Sequence, residues 1–498
     1  DVLPPTVPIV LSTSLSKGFC AQSHPLVVHS VHGYRSKTDA DSHRATAAHG
    51  RRLYRDDRSM LIAETAMPRV LIITYYFPPA GGPGVQRIMG LVRHLPSFGW
   101  EPAVLTVEGG TFFNRDEESV SRVPPSVPVY RTKAFEPFAL YNRLRGKPAD
   151  EALPIGTVGQ GGGGVATRVS RWVRANLFVP DARIGWIPFA VSAAKRIVKH
   201  ERIDAILTSS PPQTVHLIGR KVARAAGLPW IADFRDPWTQ IYYNAELPRC
   251  NAARRLDLRL EQGVVRSASE LVMINEMVRE SLGPAASRGH IIPNGYEEED
   301  FAGELAPTTE RFELVYSGNI IPLHAPGPFL EALASLRAAD PEFRAAAKLV
   351  FVGTVHPAVR EQIEHVGLAG VAEFTGFVPH AEAVRRLRTA TVALFIGPAN
   401  LLTSKIFEYL AAGRPMLALA PPGGDVDRLL RSVGREPVVP ADDVGAIRAE
   451  LERLFGLWKR NSLPVRAPME GVEHLSRRSQ TGQMARLLNR ACGVSGNE

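Results

Sequence analysis

The chain is written as a series of short apolar, β-branched runs, each stopping at a cluster of Gly, Ser, Pro or Asp and giving way to a helical pattern. The runs fall at 70–74, 103–107, 203–208, 229–238 and 270–274, then at 313–319, 348–353, 371–375, 392–396 and 416–420. Runs this short, apolar at consecutive positions, suit strands buried on both faces, which favours parallel strands. Parallel neighbours need a crossover rather than a tight turn, and a helix between strands supplies it. The pattern therefore predicts doubly wound α/β sheets. At 498 residues the chain is too long for one ordinary domain. The runs divide into two α/β domains, 67–295 and 296–470, with the boundary at a strand and turn over 291–296. Final helices follow from 446 to about 488, and the segment 471–498 is expected to pack back on the first domain.

Two stretches depart from the alternation. Residues 1–66 scatter Pro, Ser, His and Arg without period and are expected to form a poorly ordered extension. Met67 stands just ahead of the first run, so the functional protein is expected to begin near it. Residues 108–180 form an irregular insertion with a glycine-rich segment at 159–164 and a short basic helix at 167–177, Val169, Trp172 and Val173 lying on one side. Such a length of irregular chain is commonly functional or unstructured. An ordinary surface insertion and a reach toward a membrane-bound acceptor both fit it.

Hydrophobic residues make up 45% and charged residues 22%, which describes a globular chain. The net charge of +9 favours an anionic partner. No nucleic-acid-binding module is recognisable, so a phosphorylated small molecule or an anionic membrane surface is expected instead. Cys20, Cys250 and Cys492 match no metal spacing and fit a reducing, cytoplasmic setting. No apolar run approaches the ~18 residues of a membrane-crossing helix.

Open α/β sheets bind ligands beyond the C-terminal ends of their strands. In the first domain that rule gathers Ser209, Ser210, Arg235 and Asp236 with a loop after the first strand. In that loop Gly81, Gly82 and Gly84 permit close backbone approach to a ligand. A dinucleotide fingerprint competes for the loop, with Arg87 where its third small residue belongs and Glu108 at the position of a ribose-binding acid.

In the second domain the informative stretch is 400–424. Thr403 or Ser404 is placed to cap a helix with Ile406, Tyr409 and Leu410 on its buried face, and Gly413 and Pro415 end it. Lys405 and Glu408 share a face. A cation near free N–H groups suits a phosphate, and a carboxylate one turn on can accept both hydrogen bonds of a ribose diol. A solvated ion pair is the alternative. Asp425 and Asp427 superficially resemble a metal-binding pair but stand where a helix begins, and read as capping residues.

Taken in order, 78–82, 233–238, 292–295, 316–319, 351–353 and 404–415 resemble the motifs of retaining, nucleotide-sugar-dependent family 4 glycosyltransferases, from about Val70 to the last helix. The resemblance implies the GT-B fold, two Rossmann-like domains facing a central cleft. It also implies transfer of a sugar from a nucleoside diphosphate to a hydroxyl acceptor, with retention. On that basis Glu408 holds the nucleotide ribose, and Lys405, with Thr403, Ser404 and the Gly318–Asn319 turn, holds the diphosphate. The family's first acidic position falls on Asn400, whose amide cannot supply a carboxylate's charge. A histidine common in related crevices is replaced by Ser209 and Ser210, with His216 in the following helix; Asp236 becomes the candidate acceptor base, and Arg235 contacts a phosphate. Family members of this fold need no metal or cofactor, and none is expected. The expected partners are the donor, a lipid-linked or glycan acceptor, and an anionic membrane at its inner face. A sugar-nucleotide epimerase, an NAD-dependent enzyme and a non-catalytic sugar-nucleotide-binding subunit stay open.

Overall fold

Strand pairing in both sheets is parallel throughout the described residues. The structure, a computed structural model, describes residues 67–494 apart from 111, 113–114, 136–164, 242–243, 245–246, 304, 306–309 and 398–401. The expectations for 1–66, for the glycine-rich 159–164 and for Asn400 lie outside these residues.

The first sheet holds β1 (Arg69–Ile73), β2 (Glu101–Val107), β3 (Val129–Thr132), β4 (Ala205–Ser210), β5 (Trp230–Phe234), β6 (Glu270–Met273) and β7 (His290–Ile291). Its order is β3-β2-β1-β4-β5-β6-β7, so the winding reverses between β1 and β4. The second sheet holds β8 (Phe312–Ser317), β9 (Ala347–Val352), β10 (Ala372–Gly376), β11 (Val392–Ile396) and β12 (Met416–Leu419). There the order is β10-β9-β8-β11-β12, with the reversal between β8 and β11.

Alternate residues of each strand serve opposite faces. Leu71 and Ile73 pack with the helices Ile187–His200, Thr214–Ala226 and Asn251–Ser267. Val70 and Ile72 pack with the helix Pro83–His94, whose Val85, Ile88 and Val92 are buried, and with Met484 and Leu488 of the C-terminal helix Arg477–Cys492. Trp100 Nε1 donates to Asn489 Oδ1 at 2.8 Å on the same side.

Two expectations change. The insertion is not wholly irregular, because Val129–Thr132 adds an edge strand beside β2. Four residues are too few to show a period. In the strand and turn expected over 291–296 the strand is only His290–Ile291; Pro293 has no N–H to donate to a ladder, and the chain turns there toward the second sheet.

That turn is tied to the chain's return. Arg477 N donates to Tyr296 O at 2.8 Å, Tyr296 Oη to Val472 O at 3.1 Å, and Gln480 Nε2 to Asn294 O at 2.9 Å. Beside them Glu297 meets His94 Nε2 at 2.8 Å, Arg93 at 3.2 Å and Arg477 at 3.4 Å. Burial alone raises its carboxyl, but the His94 hydrogen bond and the two guanidinium charges outweigh burial and hold it down to about 2. Because this folded value is depressed, the stability the group contributes is fully present above its ordinary 4.5 and is lost as pH falls from there toward about 2. Glu297→Gln is expected to flatten the acid side of the stability profile in that window; urea unfolding at stepped pH measures it, and an unchanged slope would contradict the assignment.

Candidate functional site

Pairing of β4 with β5 sets Ser209 opposite Asp233 and Ser210 opposite Phe234, beside the point where the first sheet reverses. Asp233 is fully buried. Its carboxylate accepts from Arg87 Nε at 3.0 Å, Arg87 Nη2 at 2.8 Å and Ser209 Oγ at 2.7 Å. Burial pushes this carboxyl up, yet the Arg87 charge and hydrogen bonds, then Ser209 and Arg235, bring it below the ordinary range. Arg87 also donates to Pro293 O at 2.8 Å, joining the first helix to the inter-sheet turn.

Arg235 does not pair with Asp236 by a hydrogen bond. It donates through Nε to Ser210 O at 2.7 Å and through Nη2 to Pro211 O at 3.1 Å. Its guanidinium lies against Gly84, where a Cβ would collide with it. Asp236 is half-buried, and burial raises its carboxyl against the pull of the Arg235 charge. Ser210 Oγ and Gln213 Oε1 are buried without a hydrogen-bond partner. His216 falls early in the Thr214–Ala226 helix. Nδ1 lies 2.8 Å from Thr208 Oγ1, its ring packs on Phe234, and burial lowers it to about 3, so it is a neutral core residue.

In the second sheet β8 and β11 flank the reversal, and the loops leaving them carry the other candidates. Gly318 N donates to Val352 O at 2.8 Å. Asn319 Oδ1 accepts from Thr354 Oγ1 at 2.7 Å, so the side chain braces two strand-end loops. The helix Lys405–Ala411 is anchored by Tyr409, whose Oη accepts from Ser317 N at 2.6 Å. Lys405 Nζ donates to Glu408 Oε2 at 2.9 Å, with side chains 35% and 12% exposed respectively. Neither Thr403 nor Ser404 caps this helix by its side chain. Ser404 already has helical angles, φ −62° and ψ −20°, which point its hydroxyl away from the first-turn N–H groups.

Gly413 ends the helix at φ +66°, and a Cβ there would lie 2.6 Å from Arg466 O and 2.8 Å from Ala467 O. Gly413→Ala is expected to destabilise by more than the about 1 kcal/mol of an unfavourable φ alone, because backbone must also move. Thermal unfolding tests this, and an unchanged midpoint would contradict it. Asp427 Oδ2 accepts from Gly423 N at 2.9 Å, and Oδ1 from Arg431 Nε at 3.1 Å, which is local helix-start pairing.

The candidates thus gather in two groups. Gly81, Gly82, Gly84, Ser209, Ser210, Arg235 and Asp236 stand on strand ends, loops and a helix start at the first reversal, and Gly318, Asn319, Thr403, Ser404, Lys405 and Glu408 on a loop and a short helix at the second. Of these residues Ser404 lines a small cavity, together with Arg87, Asn294, Gly295, Arg477 and Gln480 around the inter-sheet turn and the C-terminal helix; the first group stands outside it. Arg87, Asp233 and Tyr409 were not selected from sequence as site-building residues. Arg87 interrupts the apolar face of its helix, which is the signal that it meets a buried acid; its partner lies 146 residues away and no spacing names it.

A family model described as glycosyl transferase 4-like domain matches residues 81–295, and one described as glycosyl transferases group 1 matches 311–456. No curated protein matches the sequence. Among solved structures, sucrose-phosphate synthase of Thermosynechococcus elongatus is 14% identical with a TM-score of 0.56, covering 86% of this chain and 100% of that one. The N-terminal domain of Candida albicans trehalose-6-phosphate phosphatase is 12% identical with a TM-score of 0.56, covering 85% and 97%. A lipopolysaccharide outer core galactosyltransferase in its apo form is 10% identical with a TM-score of 0.52, covering 85% and 98%. At these identities the likeness is one of fold. The two matched domains in this order, on two doubly wound parallel sheets, make the chain a member of the family 4-like glycosyltransferases of GT-B architecture.

Proposed function

We propose that the chain transfers a sugar, with retention, from a nucleoside-diphosphate sugar to a hydroxyl of a lipid-linked or glycan acceptor in cell-surface glycan or glycolipid synthesis. The observation that carries the reading is the Lys405–Glu408 pair. It stands on a helix tied to the end of β8 through Tyr409, with Glu408 mostly buried and Lys405 open to solvent. A buried carboxylate with one oxygen engaged keeps acceptor capacity for a ribose diol. Lys405 meets the diphosphate whose charge grows as it leaves. Thr403, Ser404 and Asn319 complete the donor contacts.

Asp236 is the acceptor base in this reading. Its raised carboxyl holds a proton better than a solvated one. Arg235 is fixed on two carbonyl oxygens, and Gly84 lies against its guanidinium. Closure of the two domains over the donor limits hydrolysis. Since a lysine supplies the cation, turnover is expected to survive chelation of divalent metals. No helix among the described residues is long and apolar enough to cross a membrane, so contact with a lipid acceptor is proposed as peripheral.

Thermal-shift screening of nucleoside diphosphates and their sugars, followed by mass detection of transfer to membrane lipid extracts, tests the reading. Stabilisation by one diphosphate series and a product one sugar heavier are expected. Binding without transfer or hydrolysis across acceptors would instead support a non-catalytic subunit, and no binding at all would overturn the proposal.

A further inference from the structure

Helices of the second domain mix their surface charges: Glu382 pairs with Arg385 and Arg386, Arg448 with Glu452, and Arg453 with Glu450. One face of the first sheet is different. The helix Ile187–His200 carries Lys195, Arg196 and Lys199, its neighbour Thr214–Ala226 carries Arg220, Lys221 and Arg224, and neither has an acidic residue. Next to these, Asn251–Ser267 has two acids, and both turn inward. Asp257 accepts from Trp238 Nε1 at 2.7 Å and pairs with Arg249; Glu261 accepts from Thr239 N at 2.8 Å. Outward it shows Arg254, Arg255, Arg259 and Arg266, all exposed.

The helix Val165–Leu177 lies against it and adds the exposed Arg168, with Arg171 and Arg174 partly buried, and again it has no acid. Its end is fastened there: Asn176 Nδ2 donates to Pro248 O at 2.9 Å, and Cys250 N to Asn176 Oδ1 at 2.7 Å. Large apolar side chains stand open among these cations. Leu256 is 47% exposed, Leu258 43% and Trp172 49%.

We propose that this four-helix face is a docking surface for an anionic lipid bilayer. Cations on four neighbouring helices whose outward faces carry no acid attract phosphate headgroups, at roughly a five-fold gain in partitioning per residue near the surface. Leucines and a tryptophan gain from entering the boundary between headgroups and acyl chains, and indole suits that boundary. A nucleic-acid backbone matches the arginines but returns nothing for exposed Leu256 and Leu258. The surface borrows from the transfer reading only its lipid-linked acceptor. Vesicle binding is measured without donor or acceptor, so either inference can fail alone.

The test uses the full chain in cosedimentation with vesicles of phosphatidylcholine, with or without phosphatidylglycerol. Binding to the anionic vesicles alone, falling at high salt, is expected. The triple change Arg254→Gln, Arg255→Gln and Arg259→Gln is expected to lower it on the order of 100-fold while thermal unfolding stays put. Leu256→Ser with Leu258→Ser is expected to weaken vesicle binding without changing retention on a duplex DNA probe. Arg448→Gln with Arg453→Gln, in the second domain, is expected to bind vesicles as the parent does. Equal binding to both vesicle types, parental binding by the triple variant, or tighter binding to DNA with vesicle binding unaffected by the leucine changes would each overturn the proposal.

Discussion

Glu408→Ala is expected to lower affinity for the nucleoside-diphosphate sugar by roughly 10- to 100-fold, the loss of a hydrogen bond to a charged group. The same helix keeps its place, because Ile406, Phe407, Tyr409 and Leu410 are buried and Tyr409 holds Ser317. Removing Glu408 breaks one partly exposed pair with Lys405, worth a few tenths of a kcal/mol, roughly 0.2–1. Stability and binding therefore separate. Lys405→Ala is expected to cost the donor at least as much, with its effect concentrated on diphosphates and absent for nucleosides. Calorimetric titration of diphosphate, monophosphate and nucleoside against both variants distinguishes the two contacts. Parental affinities in both would end the assignment of a donor clamp to this helix.

Arg87→Ala is expected to destabilise the first domain by about 3–5 kcal/mol, since it leaves the fully buried Asp233 carboxylate without its cation. Ser209 still donates to that carboxylate, but a neutral hydroxyl does not replace a bidentate guanidinium. The double change Arg87→Met with Asp233→Leu removes both charges and is expected to cost less than the single one. Asp233 is held below the ordinary carboxylate range, so its contribution is present above that range and is lost as pH falls through the lowered value. Urea unfolding monitored by fluorescence gives both quantities, and a single variant no less stable than the double would contradict the account. Two domains in one chain call for checking that the transition tracks the first.

The doubly wound sheets were legible because consecutive apolar positions admit few other burials. Where the candidate residues stand in the fold was legible for a related reason: the rule of strand ends needs only the order of runs. Short β3 was not, for four residues carry no period. Nor was the use of Asn319, whose oxygen goes to Thr354 in another loop. Arg87 was visible as an oddity in a nucleotide-binding fingerprint, but its role depends on Asp233, and a buried ion pair across the sheet leaves no mark in local spacing. Ser404 shows the opposite limit. Its residue type fits a cap, and the backbone angle withdraws it.

The chain passes between the two sheets twice, once near Tyr296 and once near Ser476, and these passages run side by side in a parallel bridge. A body hung from two adjacent straps resists twisting but swings freely about the line through them. Opening and closing would then be a swing about that line. A chain cut before Glu473 would keep one strap, and its halves would turn in all directions about a single point.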